Sequence, residues 1–371
     1  ENGCLVTLHT EAGGLIVLVN VGDHTHPPPR EKITSSIAFE EAKRRIDDDP
    51  TRHVTRIWED VSNWVDDLNN EDYVLPDFYE VKSSLYRHRS SSLPPLPNTV
   101  EDINFDVINP VWRNTTRGTR FMLKHDVNWG ITIFSTIEQL ELLSETRFIF
   151  ADGTFKTASP PYQQIYTIHG LANNRRVPLL FALMENRTTA DYRRLIRLIS
   201  RYVQRQTDRE FQPEYVITDY ELGIVNAIEA ELPDTNLGGC LFHYNKAIFD
   251  KVKEHGLVRA YRDNDAVKRF IRKIMALPFL PIQLLRMNYN LLITNRRNRR
   301  LLREINELPH ILRYFENTWL NGPYPIALWN VYNRPLRLRT TNTCEGWHNR
   351  WNGIVARIHP NIWYLIMARM H

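Results

Sequence analysis

Two aspartates each close a short apolar run: Phe148-Ile149-Phe150-Ala151 leads into Asp152, and Tyr215-Val216-Ile217-Thr218 leads into Asp219. A third acid, Glu345, stands far downstream in Thr341-Asn342-Thr343-Cys344-Glu345-Gly346-Trp347-His348. An acid at the end of a buried strand is held at the rim of a sheet, with its carboxylate towards solvent. Three such acids brought together can hold two Mg²⁺ ions, because hard cations take carboxylate oxygens and keep waters for a phosphate to displace. Phosphodiester cleavage needs metal at both the attacking and the leaving oxygen, about 3.5–4 Å apart, and a carboxylate between the ions provides it. Taken singly, each aspartate reads better as a strand-end residue capping a turn, Asp152-Gly153 being a common turn pair. The joint pattern is what points to chemistry. Two further acids, Glu185 and Glu221, compete for the same role, and Glu221 suits the start of a helix by its charge alone.

The elements that must position these acids are legible from about residue 147. Strands are expected at about 147–151, 163–171 and 177–184, with a turn at Asn173-Asn174 joining the last two. Thr188, with Asp191 three positions on, marks a helix N-terminus, and Tyr192, Leu195, Ile196, Ile199 and Val203 recur at helical spacing. A strand over 215–218, a helix over about 222–232 and a strand near 237–243 complete the order β-β-β-α-β-α-β. Residues 246–315 read as helices with basic side chains interleaved. Residues 342–358 predict a helix whose Trp347, Trp351, Ile354 and Ile358 face the sheet, while Glu345, His348, Asn349 and Asn352 lie on another side.

Upstream, residues 1–23 alternate loosely around Gly13-Gly14 and predict a β-hairpin. A helical stretch follows at about 36–46, residues 47–115 are acidic and polar, and residues 90–97 have the composition of a linker. The length, 371 residues, predicts two or three domains. A membrane span is not expected, because no apolar run approaches the ~18 residues one requires. Three widely spaced cysteines argue against a disulfide scaffold. The net charge of +4 hides an asymmetry: residues 31–110 carry 17 acids against 9 Lys/Arg, and residues 251–315 carry 15 Lys/Arg against 5 acids. The basic block, with Arg296, Arg297, Arg299 and Arg300 at its centre, suits a nucleic-acid surface as well as it suits a solvated helical face.

Taken in order, Asp152-Gly153-Thr154-Phe155, Thr218-Asp219-Tyr220-Glu221, Cys240-Leu241-Phe242-His243 and the segment 342–348 resemble the motifs of MULE-type (Mutator-like) DNA transposases, over roughly residues 148–351. The resemblance implies an α/β fold with a ribonuclease H-like mixed sheet interrupted by an all-helical insertion. It implies Asp152, Asp219 and Glu345 as the catalytic ligands of Mg²⁺ or Mn²⁺. Cys240 and His243 then support the site; alone, they could be half a zinc site, although no second pair is near, or plainly a buried strand cysteine with a capped histidine. Residues 1–30 are similar to the tail of a FLYWCH-type zinc finger, in which Cys4, His24 and His26 are three of four Zn²⁺ ligands and the first Cys lies upstream. The chain thus reads as a piece of a longer protein.

The expected organisation is a partial zinc finger (1–30), a helical and linker region (31–145), the first part of the catalytic core (146–245), a basic helical insertion (246–325) and the C-terminal helices of the core (326–371). The implied partners are DNA, as transposon ends and as target, and further copies of the chain; the implied compartment is the nucleus. Two other readings remain open. One is a domesticated, transposon-derived DNA-binding regulator without catalysis; the other is a ribonuclease H-like nuclease, against which the insertion and the Cys-x-x-His argue.

Overall fold

The computed structural model describes residues 7–10, 17–21, 30–50, 52–67, 75–106, 112–115, 117–172, 175–355 and 360–367. Cys4, His24 and His26, the zinc ligands expected from the sequence, lie outside the described residues, as does the Asn173-Asn174 turn. Two compact units divide the chain at Pro95/Leu96, within the stretch whose composition reads as a linker.

In the first unit, β1 (Thr7–Thr10) and β2 (Val17–Val21) pair antiparallel as the alternation predicts. Three helices follow, α1 (Arg30–Asp48), α2 (Val54–Asp67) and α3 (Phe78–Ser92). In α2 the apolar residues Val54, Ile57, Trp58, Val61 and Val65 recur every three or four positions, and all are buried. They pack with Ala38, Ala42 and Ile46 of α1 and Leu85 of α3. Asp77 and Glu80 form a reciprocal capping box that fixes the start of α3.

The second unit is built on seven strands. β3 (Met122–Asp126) and β4 (Ile131–Phe134) come first, then α4 (Ile137–Glu145). The meander β5 (Phe148–Thr154), β6 (Gln164–Ala172) and β7 (Arg175–Met184) leads through α5 (Thr189–Thr207) to β8 (Tyr215–Thr218). α6 (Leu222–Glu231) then crosses to β9 (Asn236–Gly239). The order across the sheet is β3-β4-β7-β6-β5-β8-β9, antiparallel except for the pairs β5–β8 and β8–β9, which are parallel. The β-β-β-α-β-α-β order read from the sequence is present, and this mixed α/β sheet is consistent with a ribonuclease H-like class. The region 31–145, which the sequence predicts as helical and linker, also supplies two strands to the sheet.

The two faces of the sheet do different work. Ile149, Ala151 and Val216 point to the face covered by α5 and α6, where Tyr192, Leu195, Ile199, Ile224 and Ile228 close the main core. Phe150 and Ile217, one residue out of phase, point to the other face and meet Cys240, Leu338 and Cys344. Thr188 caps α5 in a capping box with Asp191. Thr188→Ala removes one half of that box and is expected to lower stability by about 1 kcal/mol in urea unfolding. A loss below a few tenths would mean the cap carries no weight here.

After β9 the chain is helical: α7 (Leu241–Glu254), α8 (Val258–Asp263), α9 (Asp265–Ala276), α10 (Ile282–Thr294), α11 (Arg296–Glu304), α12 (Leu308–Phe315) and α13 (Ile326–Trp329). A π-helical turn, Glu316–Leu320, extends α12. These helices close around a core of their own, with Tyr244, Phe270, Ile274, Phe315, Trp319 and Trp329 at its centre. α14 (Asn342–Val355) and α15 (Ile362–Met367) return to the sheet unit. No helix among the described residues is long and apolar enough to cross a membrane.

Candidate active site

Strand register brings the two aspartates together. β5 and β8 run parallel with Phe150 opposite Ile217. Asp152 and Asp219 each stand two residues further on, so the same pairing carried forward sets them side by side on the face covered by α14. Asp152 is buried at 4% exposure. Asp219 is half-buried, and its Oδ1 accepts the Glu221 backbone N–H at 3.1 Å. Burial pushes the Asp219 carboxyl up, and the neighbouring Asp152 charge adds to it. Two carboxylates that repel in this way form a site that a cation would relieve.

Glu345 arrives on the first turn of α14, and the start of that helix is tied down at several points. The Arg176 guanidinium lies 3.7 Å from the centre of the Phe150 ring. It donates to the Thr340 carbonyl at 2.8 Å and to the Arg337 carbonyl. The Thr341 backbone N–H and hydroxyl both donate to Cys240 Sγ at 3.2 Å. The Leu241 N–H donates to the Arg339 carbonyl at 2.8 Å. On the helix itself, Cys344 is buried against Phe150, and Trp347 packs on Phe181 and, in parallel, on Trp351. The expectation that the apolar side of this helix packs on the sheet is met by Trp347 and Trp351.

Two histidines close the cluster. His243 Nε2 faces Glu345 Oε1 at 3.3 Å. His348 Nδ1 faces Asp152 Oδ2 at 3.3 Å, and its Nε2 lies 3.1 Å from the Thr167 hydroxyl, which donates to the Asp152 carbonyl. Burial pushes the Glu345 carboxyl up, His243 works against that, and the Asp152 charge raises it further. The third acid therefore shares one electrostatic neighbourhood with the first.

The sequence predicts Cys240 and His243 on a strand running to about 243. β9 instead ends at Gly239, and Cys240 is the residue preceding α7, with His243 in the first turn. The pairing with β8 runs through the Cys240 N–H to the Thr218 carbonyl and goes no further, the next N–H being taken by Arg339, across the fold. That geometry gives Cys240 a concrete task, holding Thr341 and so the Glu345 helix. It also sets His243 over the acids. Burial opposes a charged His243, but the adjoining Cys240 sulfur and then Asp152 and Asp219 outweigh it, raising the imidazole to about 9. In metal-free protein the His243 ring is expected to titrate well above the ordinary 6.5. Cys240→Ala should bring it down, read by NMR of the ring nitrogens. A midpoint near 6.5 in both proteins would contradict the arrangement.

Other residues singled out in the sequence fall elsewhere. Glu221 precedes α6 and faces Arg187 Nη1 at 3.8 Å. Arg296, Arg297, Arg299 and Arg300 lie exposed on α11, Arg300 paired with Glu304 at 2.6 Å. Helical spacing groups His348 with Glu345, and that spacing is the one available signal in the sequence for its contact with Asp152.

The donor chemistry of Asp152, Asp219 and Glu345 suits Mg²⁺ or Mn²⁺, and a cation would relieve the burial and the Asp152 charge that together raise the Asp219 carboxyl. As arranged, no three Asp, Glu, His or Cys among the described residues are grouped closely enough to hold an ion. The histidines engage two of the acids instead.

Residues 148–247 match the MULE transposase domain. The matched stretch runs from β5 into α7, so it contains Asp152, Asp219, Cys240 and His243, and it stops well short of Glu345. No curated protein matches the chain in sequence.

Proposed function

We propose that the second unit is the catalytic part of a DNA transposase, cleaving phosphodiester bonds at transposon ends and joining the freed 3′-hydroxyl to target DNA. The observation that supports this reading is the parallel β5–β8 register, which, carried two residues past Phe150 and Ile217, brings Asp152 and Asp219 to neighbouring strand ends, with Glu345 of α14 feeling the Asp152 charge. The MULE match over 148–247 supports it independently. In this reading Asp152, Asp219 and Glu345 hold Mg²⁺ or Mn²⁺, which when bound supplies the charge that stabilises the attacking and leaving oxygens. Cys240 anchors the helix that bears Glu345, while His243 and His348 orient the carboxylates they face. A nuclear location and a homo-oligomeric assembly accord with this reading.

The test is nicking of duplex DNA carrying candidate element ends, with Mg²⁺ or Mn²⁺ supplied. Cleavage that depends on metal is expected; binding without cleavage under either metal would overturn catalysis. That second outcome is the domesticated DNA-binding regulator. It is favoured by one observation, that Glu345 and Asp152 already face histidines rather than one another.

The exposed arginines of α11 belong to the same reading, as groups that neutralise phosphates. Replacing Arg296, Arg297, Arg299 and Arg300 with Gln is expected to weaken binding to all sequences alike. The slope of log K against log salt should fall by about 0.9 for each phosphate that is no longer neutralised. An unchanged slope would return α11 to a solvated face.

A further inference from the structure

Just past the end of the strand that carries Asp152 stands a large aromatic side chain that the site described above does not use. Phe155 follows β5 directly, three residues past Asp152, and is 43% exposed. Its ring folds back to within 3.8 Å of the position a Cβ on Gly153 would take. The Arg187 guanidinium lies 4.8 Å from the ring centroid. The same arginine reaches Glu221 at 3.8 Å, and its charge slightly offsets the burial and the Asp152 charge that raise the Asp219 carboxyl. One cation therefore lies between the exposed ring and Glu221, two residues past the second aspartate.

The backbone of Arg187 is fixed. It directly precedes Thr188, whose capping box starts α5. Its carbonyl lies where a side chain at Gly223 would be, 2.6 Å from an added Cβ, so only glycine lets α6 approach this closely. The side chain itself remains 42% exposed. Lys156, the neighbour of Phe155, is also exposed.

Scattered exposed aromatics need no explanation. This one differs in being held by a cation on a fixed backbone, at the end of the strand that carries Asp152. A cation over one ring face leaves the other face free for a planar partner, and the positive charges beside it suit a phosphate backbone.

We infer that Phe155 and Arg187 form a clamp for an unpaired nucleobase of the DNA strand next to the scissile phosphate, Phe155 stacking on the base and Arg187 fixing the ring and meeting the backbone. This rests on the transposase reading and adds to it a substrate-positioning site. It makes the preferred substrate a duplex with a base free to leave the stack.

The test uses the full chain and a DNA duplex with one unpaired 2-aminopurine, in Ca²⁺ to permit binding without cleavage. Stacking is expected to quench the fluorescence. Phe155→Leu should lose the quench and bind this duplex about 5- to 150-fold more weakly, the range set by the loss of one aromatic–base stack. Phe155→Trp should keep both, and Arg187→Gln should weaken binding with partial loss of quenching. For Phe155→Leu, affinity for a fully paired duplex should change little, which separates clamping from general damage. If the parent cuts DNA while Phe155→Leu matches it in quench and affinity, the clamp is wrong and the transposase reading stands. If the parent neither binds nor cuts, both fall.

Discussion

Asp152→Asn is expected to leave the fold intact and to reduce DNA strand cleavage by at least ~10³-fold, about 4 kcal/mol of transition-state stabilisation. The side chain is almost wholly buried, so the isosteric amide keeps the packing beneath the α14 helix. It removes the charge that faces His348 and that, through space, raises Asp219 and Glu345. Asp219→Asn should act equally strongly. In metal-free Asp152→Asn, the Asp219 carboxyl should titrate lower than in the parent, because one of the two causes holding it up is gone. Cleavage within ~10-fold of the parent would mean that Asp152 is a turn cap and nothing more.

Trp329→Ala carries the largest expected effect on folding, a loss of about 3–5 kcal/mol. Trp329 is fully buried where the helices after β9 meet. Its ring lies parallel to Tyr244 at 5.5 Å and edge-on to Phe315 and Trp319. Its indole N–H donates to the Trp319 carbonyl at 3.0 Å, and truncation removes that hydrogen bond. The change should appear as a lower urea midpoint. A loss under ~1 kcal/mol would mean that these helices do not share one core.

Much of the sheet is legible in the sequence because its signals are local. The apolar run 215–218 ends at an aspartate, and β8 occupies those four residues. The Thr188/Asp191 pair marks a helix start, and the capping box forms there. The rest depends on distant partners. β4 is four residues, Ile131–Phe134, buried on both sides, with Thr132 bonded to Tyr162 at 2.5 Å. So short a run, with a polar residue inside it, has no period that separates strand from loop. α2 has a clear helical period, but its acidic surroundings mask it. Cys240 and His243 read as strand because nothing nearby announces that Arg339 takes the next amide. The contact between His348 and Asp152 joins segments far apart in the chain and is created by the packing of α14 on the sheet.

The central claim is that Asp152, Asp219 and Glu345 form one divalent-metal centre. The most direct measurement is anomalous diffraction from crystals of the full chain equilibrated with Mn²⁺, alongside crystals of Asp219→Asn. The expected result is manganese density between the Asp152 and Asp219 carboxylates, with Glu345 turned from His243 towards it, and no such density in the variant. Density elsewhere, or none at the three acids in the parent with Glu345 still facing His243, would contradict the account.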